Sequence, residues 1–234
     1  MNLIEKIEII EYPQLTHKGI IHLNFPNQYL LCMSFCRVQE YCESPLPCIN
    51  KNYFTIEELM DTYAETYGHG HFSYDGDWVG FNIPGNLALA FQHDFHNKPM
   101  LKKEKYLLEI INKERARRKE ITDTNFCVIG TYRLDDIEHE IAHALYYLHP
   151  KYKKQMDDIY HSLADRHKKG MKNYLSTSGY EEPQFLDEAQ AYFSTSDDED
   201  ISDRIPKSTL PGQRKLKLFR DAFKKWHNDK GISK

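Results

Sequence analysis

The chain has 234 residues, of which 40% are hydrophobic and 28% are charged. At roughly 100–200 residues per domain, this length allows one large domain or two small ones. The apolar content is enough to bury a sizeable core, which excludes a wholly disordered chain. A net charge of −4 argues against a dedicated nucleic-acid-binding protein, which would carry a basic excess. No apolar run approaches the ~20 residues of a membrane-spanning helix, so we expect a water-soluble protein.

The N-terminus and the cysteines bear on the cellular compartment. Charged residues interrupt the start of the chain, which therefore lacks the apolar core of a signal peptide. The 5 cysteines are an odd number, which favours reduced thiols and a cytoplasmic location. Four of them lie between Cys32 and Cys48 but lack the close Cys-x2-Cys pairs of most structural zinc sites. We expect Cys32 and Cys36 to be small hydrophobic residues on one face of a strand.

Hydrophobic periodicity and glycine–proline punctuation divide the chain into predicted elements. Residues 1–50 look strand-rich, and strands are predicted at 29–38, 78–83 and 126–132. Helices are predicted at 55–67, 102–119, 135–149, 151–168, 183–193 and 213–226. The acidic, serine-rich residues 194–203 should form a solvated loop. We therefore expect one α+β domain over residues 1–234, with a strand-rich N-terminal portion (1–120) of unknown role and a mostly helical C-terminal portion (121–234).

Three local signals identify single residues at the ends of these elements. Thr55 and Glu58 have the spacing of a capping box at the start of a helix. Asp75-Gly76 has the composition of a hairpin turn. Asp135 or Asp136 is placed to cap the helix predicted to follow it.

The most informative segment is a His-Glu-x-x-His motif. His139 and His143 are four residues apart on a predicted helix, so their side chains lie on one face. Two imidazoles at this spacing can ligate one zinc ion. Glu140 directly follows the first histidine, where its carboxylate can take a proton from a water that the metal activates. Chance gives roughly 0.05 such matches in a chain of this composition, and the helical context strengthens this one.

This segment resembles the active-site helix of the zincin metallopeptidases. The resemblance covers about residues 125–195. It implies a zincin-like fold and an enzyme that hydrolyses peptide bonds, with Glu140 as general base. In that superfamily a strand near the metal-binding helix can hold extended substrate by edge pairing, and the strand at 126–132 is the candidate for this part. The N-terminal half resembles no family whose function can be carried over.

The zinc site needs a third ligand, for which two residues compete. Gluzincins take theirs from a glutamate on a downstream helix, commonly followed by small residues, and Glu188 matches this description. His149 has the spacing of the third metzincin histidine, but Tyr146 stands where that family has a glycine at a sharp turn. The resemblance therefore favours Glu188, and the weaker alternatives are Asp187, Glu181, Glu182 and other histidines.

Residues around Glu188 can complete the site. The residue four positions beyond it is Tyr192, where the best-known gluzincin pattern has an aspartate. The carboxylate that orients a zinc-bound histidine must then come from elsewhere, and Asp187 is a candidate. Tyr192 can instead donate a hydrogen bond to the oxyanion of the reaction, and Tyr180 is a weaker candidate for that task.

Other features carry weaker signals. A second metal site is conceivable among a few histidines that are better expected to be exposed, namely His69, His71, His93 and His96. Three aromatic residues could line a groove but are better expected in the core, namely Tyr74, Trp78 and Phe81. The basic residues 113–119 and the helix at 213–226 could dock nucleic acid, a membrane or a partner. We favour a solvent-exposed helix face for residues 113–119 and packing onto the domain for the helix at 213–226.

The leading hypothesis is a cytoplasmic zinc metallopeptidase of gluzincin type that acts on a peptide or protein substrate. The ligands of Zn²⁺ would be His139, His143 and Glu188, and the catalytic residues Glu140 and Tyr192. The alternatives are a non-peptidase zinc hydrolase and a degenerate zincin that acts as a protein-binding module. We expect neither a nucleic-acid nor a membrane partner.

Overall fold

The computed structural model describes residues 6–119, 121–133 and 137–228. These residues group into two compact units. Among the described residues, the first unit comprises 6–12, 18–119, 121–133 and 137, and the second comprises 13–17 and 138–228. The elements are a mixture of helices and strands, in agreement with the predicted α+β class.

The described part of the first unit contains a small sheet and several helices. Its strands are β1 (Glu8–Ile10), β2 (Ile20–Asn24), β3 (Gly80–Pro84) and β4 (Cys127–Thr131). Its helices are α1 (Gln28–Glu43), α2 (Ile56–Thr66), α3 (Tyr74–Asp77), α4 (Gly85–Asp94) and α5 (Lys102–Arg117).

The second unit is helical in the residues that the structure describes. Its α-helices are α6 (Ile137–Leu148, whose first residue is grouped with the first unit), α7 (Pro150–His161), α8 (Asp165–Thr177), α9 (Phe185–Thr195), α10 (Asp198–Arg204) and α11 (Gln213–His227). Short 3-10 helices lie at Leu15–His17 and Glu182–Gln184.

The strands form one sheet in the order β1-β2-β4-β3. β1 and β3 are antiparallel to their neighbours, whereas β2 and β4 are parallel, with His22 opposite Ile129. Every residue of β4 is buried, as expected for a strand at the centre of a sheet. The strand predicted at 126–132 is therefore confirmed. Its predicted pairing with substrate is wrong, because β2 and β3 occupy both of its edges.

The largest departure from prediction is α1, which occupies the run expected to be a strand at 29–38. Asn27 begins this helix, and its side chain accepts a hydrogen bond from the Leu30 nitrogen at 2.8 Å. α1 is buried nearly all round, so its sequence lacks the polar face that marks a surface helix. Periodicity cannot distinguish such an apolar run from a buried strand. Cys32 and Cys36 are consequently buried one helical turn apart, not on a strand.

Three further predictions are wrong for local reasons. Asp75-Gly76 lies in α3 and not in a hairpin, because β3 pairs with the distant β4. Residues 151–168 form parts of two helices, α7 and α8. The expected loop at 194–203 instead contains the end of α9 and most of α10. Asp197 begins α10 by accepting a hydrogen bond from the Asp200 nitrogen at 2.8 Å.

The other predicted helices agree with the structure. Thr55 Oγ1 accepts a hydrogen bond from the Glu58 nitrogen at 3.1 Å, and Glu58 Oε2 accepts one from the Thr55 nitrogen at 2.6 Å. The capping box of α2 is therefore confirmed. α11 packs as expected and buries an apolar stripe formed by Leu216, Phe219 and Phe223. The predicted caps Asp135 and Asp136 lie outside the described residues.

The cysteines are free thiols. Cys48 is exposed and the other four are buried. Burial raises the pKa of Cys32 and of Cys42 to about 12 in each case, so both thiols stay protonated and are poor metal ligands. Within residues 6–119, 121–133 and 137–228, no helix combines the length and the apolar character that a membrane crossing requires.

A buried ion pair connects α1 to α5. Arg37 Nε donates to Glu104 Oε1 at 2.7 Å, and Arg37 Nη2 donates to Glu104 Oε2 at 2.5 Å. The guanidinium also donates to the carbonyl oxygens of Phe54 and Pro99, at 3.0 and 3.2 Å. Both side chains are at most 2% exposed. The pair therefore depends on these internal contacts for the solvation that it loses on folding.

Acid is expected to destabilise the first unit through His22, which is 0% exposed in β2. Its ring nitrogens lie 2.8 Å from the Tyr12 hydroxyl and 2.8 Å from Thr131 Oγ1. Burial lowers the pKa of His22 to about 4. Below a pH of about 6.5 the unfolded chain binds a proton at His22 that the folded chain does not bind. The free energy of unfolding therefore falls as pH falls, by about 2 kcal/mol at pH 5.

Urea denaturation at pH 7 and pH 5 checks this prediction. A Trp226→Phe background leaves Trp78, in the first unit, as the fluorescent reporter. His22→Gln should remove most of the acid-dependent loss, whereas His96→Gln, at an exposed position, should leave it unchanged. An equal loss in wild type and His22→Gln would refute the assignment.

Candidate metal centre

α6 and α9 carry the residues of the predicted metal site. His139 and His143 are one turn apart in α6, and Glu188 lies in the first turn of α9. All three side chains are partly buried, with exposures of 22%, 12% and 13% respectively. The helical period alone brings the two histidines to one face, whereas Glu188 reaches them through the tertiary fold.

The two imidazoles and the carboxylate converge on one point. The Nε2 atoms of His139 and His143 are 3.1 Å apart. Glu188 Oε2 lies 3.8 Å from His139 Nε2, and Glu188 Oε1 lies 3.6 Å from His143 Nε2. Ligand atoms around a tetrahedral zinc ion, at bond lengths of about 2.0–2.1 Å, are about 3.3 Å apart. The spacing and the donor types therefore fit a zinc ion.

Asp187 holds the outer nitrogen of His143. Its Oδ1 lies 2.8 Å from His143 Nδ1. A carboxylate at the far nitrogen of a metal-binding histidine fixes the ring orientation and leaves the other nitrogen for the metal. The structure therefore brings Asp187 to the position that the sequence suggested for an orienting carboxylate.

The two histidines have opposite electrostatic surroundings. Burial lowers the pKa of His139 well below its ordinary value, and His143 and Arg204 lower it further. Burial also acts to lower the pKa of His143, but the carboxylates of Asp187 and Glu188 raise it well above its ordinary value. The carboxylates thus favour a cation at this point of the structure, as a metal centre requires.

Tyr192 lies beside the histidines as part of a tyrosine cluster. Its ring meets that of His139 edge to face, with centroids 4.8 Å apart. It also meets the Tyr174 ring edge to face, with centroids 5.6 Å apart, and burial and the charge of Glu188 raise its pKa. The structure therefore places Tyr192 and Tyr180 next to the candidate ligands, and their role toward an oxyanion stays a prediction.

Glu140 faces the same group of residues from α6. Its charge raises the pKa of His143 and of Tyr180, which shows that its carboxylate acts on both. The side chain is half-buried. A carboxylate in this position can take up and release a proton close to the candidate metal ligands.

Arg204, in α10, was not anticipated from the sequence. Its guanidinium lies over the Tyr192 ring at 5.1 Å, and Nη1 donates to the Tyr174 hydroxyl at 2.8 Å. Nη2 donates to Asp200 at 3.1 Å. No sequence signal pointed to it, because the residues directly before it, 194–203, were expected to form a loop. The Asp197 cap was the one signal that could have shown a helix there.

The competing histidines lie elsewhere. His149 precedes α7, and its Nε2 lies 2.7 Å from the Thr16 carbonyl oxygen. Its ring packs on Trp226 at 5.3 Å. The histidines weighed for a second site are exposed, namely His69, His71, His93 and His96. Over the described residues, the one group of three side chains that could hold a metal is His139, His143 and Glu188.

The described residues thus combine three side chains that could hold a metal and a carboxylate at the outer nitrogen of one of them, and the charge of Glu140 acts on the same histidine. Such a group can bind a divalent cation and support hydrolysis. No protein-family model, curated protein or solved structure matches this chain.

Proposed function

We propose that this protein is a zinc-dependent hydrolase of gluzincin type that cleaves peptide bonds. The observation that supports it most is the convergence of the ligand atoms of His139, His143 and Glu188 within 4.8 Å of one another. Two histidines and a glutamate are a common donor set of catalytic zinc, which keeps a fourth position open for water or substrate. Asp187, at the outer nitrogen of His143, adds the supporting contact that such sites require.

Each residue has a defined part in this proposal. A zinc ion held by the three ligands would polarise a substrate carbonyl and lower the pKa of water. Glu140 takes the proton of the attacking water on its carboxylate and returns it to the nitrogen of the leaving amine. Asp187 keeps the His143 ring in one orientation. The hydroxyls of Tyr192 and Tyr180 are the candidate donors to the oxygen that becomes negative.

Metal analysis tests the proposal. We expect one zinc ion per chain in the wild type, and a loss of about 100-fold or more in zinc affinity for Glu188→Ala, because a lost ligand should cost more than a lost outer partner. His149→Ala is the matched control, since His149 bonds the Thr16 carbonyl oxygen instead, and it should keep wild-type affinity. Equal zinc affinity in wild type and Glu188→Ala would contradict the ligand assignment.

A zinc hydrolase for a non-peptide amide or an ester is the second candidate. The interior position of β4 favours it, because the strand expected to pair with an extended peptide has no open edge. Turnover of a mixed peptide library, compared with turnover of acylated amines and esters, distinguishes the two candidates. Peptide cleavage that zinc restores after chelation would support the first candidate and reject the second.

A further inference from the structure

Two buried polar side chains extend the contact between His143 and Asp187. Gln190 Nε2 donates to Asp187 Oδ1 at 3.1 Å, and the Tyr152 hydroxyl donates to Gln190 Oε1 at 3.0 Å. Gln190 is 1% exposed and Tyr152 is 0% exposed. The chain of hydrogen bonds therefore runs from α7 through α9 to a candidate zinc ligand in α6.

Each group in this series of hydrogen bonds has one favourable orientation. Asp187 Oδ1 faces both His143 Nδ1 and Gln190 Nε2, so it acts as an acceptor twice. The amide oxygen of Gln190 then faces Tyr152, whose hydroxyl has to donate. A reversed Gln190 amide would set its oxygen against the Asp187 oxygen, which brings two acceptors together without a proton.

Packing alone is a poor explanation for Gln190. A buried amide costs free energy unless its polar atoms are hydrogen-bonded, and an apolar side chain of similar length would fill the same space without that cost. Asp187 and Tyr152 are the partners that meet this requirement, and one of them contacts His143. The Gln190 amide is thus connected to the candidate metal site through Asp187.

We propose that Gln190 and Tyr152 are positioning residues that make Nδ1 of His143 the hydrogen-bond donor and thereby leave Nε2 as the metal ligand. The partner of one imidazole nitrogen determines which nitrogen carries the proton. Gln190 holds the Asp187 oxygen at Nδ1, and Tyr152 holds the Gln190 amide in the orientation that does so. This inference rests on the proposed function, since it requires that His143 bind a metal.

Zinc affinity, measured by chelator competition, tests the inference. Gln190→Met keeps the length of the side chain and removes both hydrogen bonds, so we expect a loss of about 10–100-fold in affinity. Tyr152→Phe removes only the hydroxyl and should change affinity in the same direction but less. Tyr160→Phe is the matched control, because Tyr160 lies in the same helix, is 4% exposed and should not alter affinity.

A second readout separates positioning from general loosening of the fold. In the zinc-loaded protein, the Nδ1 proton of His143 should exchange slowly with solvent by NMR, and it should exchange at least tenfold faster in Gln190→Met. Thermal unfolding of each variant verifies folding, and if Gln190→Met does not fold, Tyr152→Phe decides the question by the same two measurements.

The outcomes distinguish this inference from the function on which it rests. Zinc binding by the wild type, with unchanged affinity and proton exchange in Gln190→Met and Tyr152→Phe, overturns the positioning role and leaves the zinc site in place. A wild-type protein that binds no zinc overturns the proposed function and this inference with it. A loss of affinity shared equally by Tyr160→Phe would show a structural effect and also reject the positioning role.

Discussion

Glu140→Gln is expected to lower kcat/KM for hydrolysis by about 10²–10⁴-fold while one zinc ion stays bound. The amide keeps the shape of the side chain but cannot take up the proton of the attacking water. The proposed zinc ligands are His139, His143 and Glu188, so the substitution should leave the metal site intact. The measurement is turnover of the best substrate, together with zinc content, on the same protein preparation.

Glu138→Gln provides the matched control for this prediction. Glu138 lies in the same helix two residues earlier, and its side chain is exposed. It should keep wild-type turnover and zinc content. Undiminished hydrolysis by Glu140→Gln would exclude Glu140 as the general base. Loss of zinc from this variant would instead show that Glu140 supports the metal.

Glu104→Gln is expected to lower the free energy of unfolding of the first unit by about 3–5 kcal/mol, because it leaves the charge of Arg37 buried without its partner. Arg37 makes two hydrogen bonds to Glu104, and both side chains are at most 2% exposed. Urea denaturation followed by Trp78 fluorescence, in the Trp226→Phe background, measures the change.

A surface pair offers the comparison. Arg117 also pairs with Glu11, whose side chain is 64% exposed, so Glu11→Gln should cost less than about 1 kcal/mol. The double variant Arg37→Met, Glu104→Leu should recover much of the loss, since it removes both charges and fills the space. A cost below about 1 kcal/mol for Glu104→Gln would show that the pair does not stabilise the fold.

Local chemistry explains what could be predicted from the sequence. The capping box of Thr55 and Glu58 involves residues three apart, so no distant contact is needed to form it. The shared face of His139 and His143 follows from the helical period in the same way. Glu188 was predicted as the third ligand from the resemblance to gluzincins, and the tertiary structure brings its carboxylate to the two histidines.

The wrong predictions have a common physical origin in burial and long-range pairing. The sequence of α1 predicts a strand, because a helix buried all round has no polar face that would show its period. β3 was expected to follow a local hairpin, but its hydrogen bonds go to β4. That pairing, together with β2 on the other side, also closes the edges at which a substrate was expected to bind.

Local spacing is enough to predict the candidate chemistry, because the helical backbone brings His139, Glu140 and His143 of one motif close together. The surroundings of this motif depend on long-range packing. It brought Glu188 to the imidazoles and Asp187 to His143 Nδ1, and it buried Gln190 and Tyr152 behind Asp187. These contacts join residues on three helices, and their positions follow from the packing of the unit, which no local pattern encodes.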